Sequence, residues 1–406
     1  MSQTDAIPLS AERKVVEAAD FRWDGNGFEA GIGIAASGGG FRAMLFHAGA
    51  FLRLAELGLL QQAKRISSVS GGSIATAWLA SVWPDLVKAD FANLHDAFIG
   101  PLLDFARARI DVMAALVGLL PGTSAAHQVA SSYDRHLFHG RSLRDLPDRP
   151  QFVFCATNLQ TGVLWRFCKT YAGDYIVGRI DRPDIPLAKA VAASSAFPPF
   201  LSPLALEFSD GSFQNWPTGS SVPVDAIGAF RKAVLLTDGG VYDNHGIEPL
   251  VKRFATLFVS DGGAPFARNP GIYGNWLSQL RRVLDVTDNQ VRALRRRDLI
   301  GRFEAGALLN NEAVLVDIQA YGRLGAYWGI DTDPSKLAPE DALSCSAREV
   351  ASLASAPTRL SDLGESLSER LVNWGYAICD RSVRANYKGP LRQVSPVWPF
   401  PKKALG

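Results

Sequence analysis

The sequence predicts an α/β protein, a layered sheet flanked by helices, and three observations carry that expectation. Between Gly31 and Val82 a short apolar strand runs through a glycine turn into a helix, twice in succession. Further short apolar runs of strand type recur as far as Ser260. The 406 residues are 47% hydrophobic and 10% aromatic, enough for a sizeable core and incompatible with wholesale disorder.

The elements follow in chain order. Residues 1–27 read as a polar lead-in without the apolar stretch of a secretory signal. Residues 31–37 form a buried-type strand. Residues 41–57 are helical, with Met44, Leu45, Ala48, Phe51, Leu52 and Ala55 at helical spacing and Gly58 as the stop. A second strand over 65–69 leads to a helix over 72–82, and 91–139 is helical and amphipathic. Residues 151–157, 163–167, 233–237 and 257–260 read as strands; Pro198-Pro199 and 215–223 read as loops. Beyond residue 265 the chain turns helix-rich, with long stretches over 276–303 and 347–374. From Tyr387 a tail with four prolines is expected to wrap the surface. At about 150 residues per domain the length allows two or three domains, or one large α/β domain. No linker divides the chain, so the expected organisation is a lead-in (1–27), a core (28–265) and a helical extension (266–406) on the same domain.

Charge and cysteine usage remove several classes. Lys+Arg 42 against Asp+Glu 40 leaves +2, with no basic excess to neutralise nucleic-acid phosphates. Cys155, Cys168, Cys345 and Cys379 are widely spaced, so neither a disulfide framework nor structural zinc is expected. They read as reduced core cysteines of an intracellular protein. The longest suspicious apolar run, 113–120, is far short of the ~20 residues that span a bilayer, so a cytoplasmic chain is expected. His136 and His139 lie three apart without a third ligand, and no metal or cofactor is expected.

Three motifs carry chemistry. In Ser37-Gly38-Gly39-Gly40-Phe41-Arg42, successive backbone N–H groups can converge on one point at a helix N-terminus and favour negative charge there. That point suits a phosphate or the oxyanion of acyl transfer. Gly31-Ile-Gly-Ile-Ala-Ala36 fits a dinucleotide fingerprint in letters only, because its glycines sit inside the strand and no Walker lysine follows. A plain tight turn is the remaining alternative.

The second motif, Ser68-Val69-Ser70-Gly71-Gly72-Ser73, resembles a nucleophile elbow, which needs small residues two positions either side of the serine. Gly72 satisfies one side; Ser68 stands where glycine is usual. The bland alternative makes Ser70 an ordinary N-cap. The pairing with the glycine loop shifts the balance, because acyl transfer needs both devices at one edge of one sheet.

The third motif is Asp238-Gly239-Gly240 after an apolar strand, and Asp261-Gly262-Gly263 repeats it after another, with Asp210-Gly211 a weaker echo. Either carboxylate can activate a serine, alone or through histidine. Either can equally be a strand-closing turn. The order Ser70…Asp238…His245 matches a Ser–Asp–His triad, but seven positions leave little chain to swing the ring back.

At these residues the sequence resembles the patatin-like phospholipase family and, more distantly, the group IV cytosolic phospholipases. The glycine loop, the Ser70 elbow and Asp238-Gly-Gly occur in the family's order. Ala156-Thr-Asn-Leu-Gln-Thr-Gly162 and Ala192-Ala-Ser-Ser-Ala-Phe-Pro-Pro199 resemble its intermediate segments. The resemblance covers about residues 28–265 and implies a three-layer α/β/α fold with a mostly parallel central sheet. It implies a Ser–Asp dyad without catalytic histidine: Ser70 as nucleophile and Asp238 as base. Gly38, Gly39 and Gly40 would form the oxyanion hole, with Arg42, Gly71 and Gly72 in support. The continuation Val241-Tyr-Asp-Asn-His-Gly-Ile-Glu-Pro249 favours Asp238 over Asp261.

The implied activity is hydrolysis of fatty-acyl esters of phospholipids or lysophospholipids. A general carboxylesterase and a catalytically weak lipid-binding protein are the alternatives. Peripheral membrane contact has two sequence candidates. One is the basic stretch Arg281-Arg282, Arg292 and Arg295-Arg-Arg297, interleaved with Val283, Leu284, Val291, Leu294 and Leu299. The other is the 113–120 run, and ordinary solvated or buried packing is the plain alternative for both.

Overall fold

The computed structural model describes residues 29–107, 125–199, 201–216, 224–271, 274–308 and 321–406. The expected lead-in, the 113–120 run and most of the 215–223 loop lie outside the described residues.

The first strand–helix unit is β1 (Glu29–Ala36) and α1 (Gly40–Glu56), the second β2 (Ala63–Val69) and α2 (Gly71–Lys88). The next strands are β3 (Gln151–Asn158), β4 (Leu164–Phe167), β5 (Tyr171–Asp174), β6 (Gly178–Asp181) and β7 (Leu204–Glu207). They are followed by β8 (Ala233–Asp238), β9 (Phe254–Asp261) and β10 (Leu324–Gly329). All ten join one sheet in the order β10-β9-β1-β2-β3-β4-β5-β6, with β8 pairing both β3 and β7. From β10 to β3 the neighbours are parallel, and the remaining pairings are antiparallel.

One register sets up the site. β2 lies beside β3 as far as the pair Val69 and Cys155. There β2 leaves the sheet, and β8 takes the vacated edge of β3 from the opposite direction, its last residue Asp238 paired with Ala156. The ends of β2 and β8 therefore meet head to head.

Helices cover both faces, as a buried parallel sheet requires. Alternate strand residues go to opposite sides. Ile34 and Phe258 enter the large core with Phe41, Leu45 and Ile74. Ala35, Leu257 and Val259 join a smaller core on the other face with Leu250 of α8 (Glu248–Val251). Three helices on the chain before α8 matter below: α5 (Leu187–Ser194), α6 (Val224–Lys232) and the single turn α7 (Gly240–Asp243), where α3 (Gly100–Arg107) and α4 (Ala125–Tyr133) precede them.

The part beyond residue 265 is helix-rich, through α9 (Trp276–Ala307), α10 (Ala347–Ala354) and α11 (Glu365–Asn386). It also contains β10, which the sequence reading did not anticipate and which extends the sheet beside β9. The expected helix over 347–374 is two helices, parted at 355–364 where Pro357 and Gly364 interrupt the pattern. α11 lies across α1, and the fully buried Arg53 reaches Asp380 at 2.7 Å between them. The proline-rich tail packs back on this pair: the Arg392 N–H donates to the Leu57 carbonyl at 3.0 Å, and Asn373 donates to the Phe400 carbonyl at 2.9 Å. The expected helix over 91–139 is broken in the described residues into α3, α4 and two wide turns at 95–99 and 134–138. Among the described residues no helix is long and apolar enough to cross a membrane.

Candidate active site

Ser70 occupies the sharp turn between β2 and α2 with φ 51 and ψ −120. Positive φ on a side-chain-bearing residue costs on the order of 1–3 kcal/mol and persists only where surroundings enforce it. Here the enforcement is visible. The Ser70 N–H donates to both the Oγ and the carbonyl of Ser194, at 3.1 and 3.2 Å. After the turn, a Cβ on Gly71 would strike the Gly40 carbonyl and one on Gly72 the Ala36 carbonyl, so only glycine lets α2 start this close to the first unit. The missing elbow glycine is also explained. Ser68 is fully buried, its Oγ accepts from Thr76 at 2.6 Å and lies 3.1 Å from the Ser73 hydroxyl, so the extra atoms are satisfied beneath the turn.

The register of β8 brings Asp238 to this turn. Its side chain is 4% exposed and faces the Ser70 hydroxyl, which stabilises the carboxylate. The Gly240 N–H donates to its Oδ1 at 2.7 Å. Burial outweighs both contacts, with a smaller push from Asp288, and raises the carboxyl to about 6. Ser194 joins the two turns, because its carbonyl accepts from the Gly239 N–H at 3.2 Å as well as from Ser70. Its hydroxyl donates to the Cys155 carbonyl at 2.6 Å, anchoring the pair to β3.

The glycine loop lies on the other side of Ser70. The Gly38 N–H donates to the Asn244 carbonyl at 3.0 Å and is already committed. The Gly39 and Gly40 amides meet no acceptor among the described residues, nor does that of Gly71. Of the three loop glycines, Gly39 and Gly40 therefore keep unengaged amides among the described residues. Arg42, fully buried, anchors the loop from below: Nε donates to the Gly262 carbonyl at 3.0 Å and Nη1 to the Ala356 carbonyl at 2.6 Å. Its Nη2 lies beside Gly39 without an acceptor. Burial, then the charge of Arg292, lowers this guanidinium to about 10, still cationic at neutral pH.

Asp261, the local twin of Asp238, is engaged elsewhere. His245 Nε2 lies 3.1 Å from its Oδ2, the Tyr327 hydroxyl donates at 2.9 Å, the Gly263 N–H at 2.9 Å, and Arg292 Nη2 stands 3.4 Å away. Burial pushes this carboxyl up, but Arg292 and then His245 overcome it and hold it well below the usual range. The ring of His245 is thus turned to Asp261. His47 lies between the Ser260 hydroxyl at 2.7 Å and the Ser37 carbonyl at 2.9 Å, and burial lowers it to about 4. Among the described residues no histidine hydrogen-bonds Ser70 or Asp238.

Four contributors escaped the sequence reading. Ser194 and Asn244 were legible only as parts of longer segments. The Ala356 and Arg359 carbonyls, which take Arg42 Nη1 and the Phe41 N–H, belong to the 355–364 loop, where no side-chain pattern could have pointed to them. Among the described residues no three His, Cys, Asp or Glu side chains gather as a metal site, and the four cysteines are unpaired.

An elbow serine facing a buried carboxylate beside an amide-rich loop is an arrangement of serine acyl hydrolases. Residues 34–251, more than half of the chain, match the family described as Patatin-like phospholipase, and the chain belongs to that family. Human GIVD cytosolic phospholipase A2 is similar in structure, with a TM-score of 0.52 at 15% identity over 90% of this chain and 61% of that one. The chain thus spans about three fifths of the human protein's length. VipD from Legionella pneumophila matches with a TM-score of 0.37 at 14% identity, over 88% of this chain and 67% of that one. At 15% identity the likeness to the human protein speaks to fold. No curated protein sequence matches the chain. The family match supports a lipid acyl hydrolase generally.

Proposed function

We propose that the protein hydrolyses fatty-acyl esters of phospholipids or lysophospholipids through a Ser70–Asp238 dyad. The observation that carries this reading is the strained Ser70 turn facing a carboxyl that burial raises to about 6. A base poised at about 6 is ionised at neutral pH yet basic enough to accept a hydroxyl proton in the transition state. Asp238 takes the Ser70 proton as Oγ attacks the ester carbonyl, and the developing oxyanion lies against the Gly39 and Gly40 amides. The C–O bond to the alcohol then breaks, and the alcohol leaves with the proton from Asp238. Water, deprotonated by Asp238, attacks the acyl-enzyme; the acid departs and Ser70 recovers its proton.

The choice of a phospholipid over a simple ester rests on the family match, described as Patatin-like phospholipase. Within the same reading the enzyme is cytoplasmic, meets lipid at a membrane surface and needs neither metal nor cofactor.

Covalent labelling with a fluorophosphonate, followed by peptide mapping, tests the assignment. Labelling confined to Ser70 and absent from Ser70→Ala is the expected result. Labelling at another residue would remove Ser70 as nucleophile, and no labelling of folded protein would leave a lipid-binding protein of this fold.

A further inference from the structure

Helix α5 ends beside both the Ser70 and the Asp238 turns, and its last residue touches each of them. The final carbonyls of a helix have no partner within the helix and are free to accept from elsewhere. At the end of α5 and just beyond it, those acceptors take the backbone of the two turns. The Ser194 carbonyl accepts from the Ser70 and Gly239 amides, each at 3.2 Å, and the Ala196 carbonyl accepts from the Asp238 amide at 3.0 Å.

The Ser194 side chain adds a constraint that its carbonyl alone does not give. It is fully buried, and its hydroxyl donates to the Cys155 carbonyl at 2.6 Å. A hydroxyl has one proton and two lone pairs, so with the proton spent on Cys155 the oxygen can only accept from its other neighbours. Those neighbours are the Ser70 N–H at 3.1 Å and the Ser73 hydroxyl at 2.8 Å. One oxygen thus ties the start of α2 to β3, the strand that pairs with both β2 and β8. Ser70 is the residue with φ 51, and a rotation about that bond would swing its Cβ and Oγ away. Holding its amide therefore aims its hydroxyl.

We propose that Ser194 is a positioning residue for acyl transfer: its hydroxyl aims Ser70 at the Asp238 carboxylate, and its carbonyl holds the Asp238 turn in reach. The inference rests on the Ser70–Asp238 reading and extends it to a residue outside the dyad. Ser73 separates positioning from plain stability. Its side chain belongs to the same buried cluster, but it meets Ser68 and Ser194 and neither dyad side chain among the described residues.

The test is the rate constant of fluorophosphonate labelling across pH for wild type, Ser194→Ala, Ser73→Ala and Ser70→Ala, with thermal melts of each. Ser194→Ala should lower the plateau about tenfold or more, while the profile still rises through about pH 6 because Asp238 keeps its burial. On a short water-soluble ester, kcat should fall likewise with KM within about twofold of wild type. Ser73→Ala should lose a similar amount of stability yet label within about threefold of wild type. A rate constant reports folded protein alone, so partial unfolding lowers the amplitude and not the rate. Ser194→Cys, similar in bulk with a weak acceptor in place of the hydroxyl, should repeat the loss and serves if the alanine variant does not fold. Three results would overturn the proposal while Ser70→Ala still abolishes labelling: a wild-type rate in Ser194→Ala, a displaced midpoint with an unchanged plateau, or an equal loss in Ser73→Ala. Undiminished labelling of Ser70→Ala would instead remove the nucleophile, and the positioning role with it.

Discussion

Two turns of this molecule have the same local sequence and opposite electrostatics. Asp238-Gly-Gly closes β8 and Asp261-Gly-Gly closes β9, each with its carboxylate buried and accepting from the N–H two residues on. Around Asp261 stand Arg292, His245 and the Tyr327 hydroxyl, and the carboxyl is held well below its ordinary range. Around Asp238 stand the Ser70 hydroxyl and the Gly240 amide, with no ion-pair partner among the described residues, and burial raises the carboxyl to about 6. A motif of three residues therefore does not say what its carboxylate does; the partners delivered by the sheet do. Asp238 ends on the edge that β2 vacates, whereas Asp261 ends beside β10 and beneath α9, which bring Tyr327 and Arg292.

The largest effects should come from the Asp238 side. Ser70→Ala should lower kcat by about 10⁴-fold or more without loss of folding, as read by single-turnover kinetics and thermal melts. Asp238→Asn should lower it about 10³-fold. The same variant should gain stability at pH 8. A carboxyl raised from an ordinary value near 4 to about 6 favours the folded state below pH 4, and that advantage is lost as the pH climbs through 6. Above pH 6 the wild type holds an uncompensated buried charge that asparagine lacks. Asp238→Asn should therefore be more stable at pH 8 by on the order of 2 kcal/mol, with the difference fading towards pH 4 in denaturant titrations.

Asp261→Asn should behave in the opposite way. It strands Arg292 without its partner and should cost about 3 kcal/mol at neutral pH. Because this carboxyl is depressed, its contribution is present at neutral pH and disappears only under acid, below about pH 4. If both asparagine variants shift stability in the same direction at pH 8, the contrast between the two turns fails. His245→Ala, which touches only the Asp261 side, should keep activity within about tenfold of wild type in ester hydrolysis. Ser68→Gly should have the smallest effect, about 1 kcal/mol from the lost hydroxyl contacts and little change in kcat.

The strand–turn–helix units were legible in the sequence because apolar periodicity and glycine spacing are local properties, and they fixed the Ser70 turn and the glycine loop together. Local chemistry left Asp238 and Asp261 nearly tied, and only the resemblance of the 241–249 continuation favoured Asp238. The different partners of the two carboxylates come from strand pairing, such as that of β8 with β3, between residues far apart in the chain. Four-residue strands such as β5, β6 and β7 are too short to show alternation, and β10 lies in a segment whose neighbours are helical. Support for the glycine loop from the Ala356 and Arg359 carbonyls was illegible for a different reason. A backbone acceptor can be offered by any residue, so only the path of the 355–364 loop reveals it. The α9 arginines were visible as a basic stretch, but which of its faces turns outward was decided by what Arg292, Arg295 and Leu299 find to pack against.

The most direct test of the dyad is the pH dependence of Ser70 labelling by a fluorophosphonate, compared among wild type, Asp238→Asn and His245→Ala. The account predicts a rate that rises through about pH 6 to a plateau in wild type and in His245→Ala, and collapses in Asp238→Asn. A collapse in His245→Ala, with Asp238→Asn still titrating, would contradict it and return the serine to a histidine-dependent mechanism.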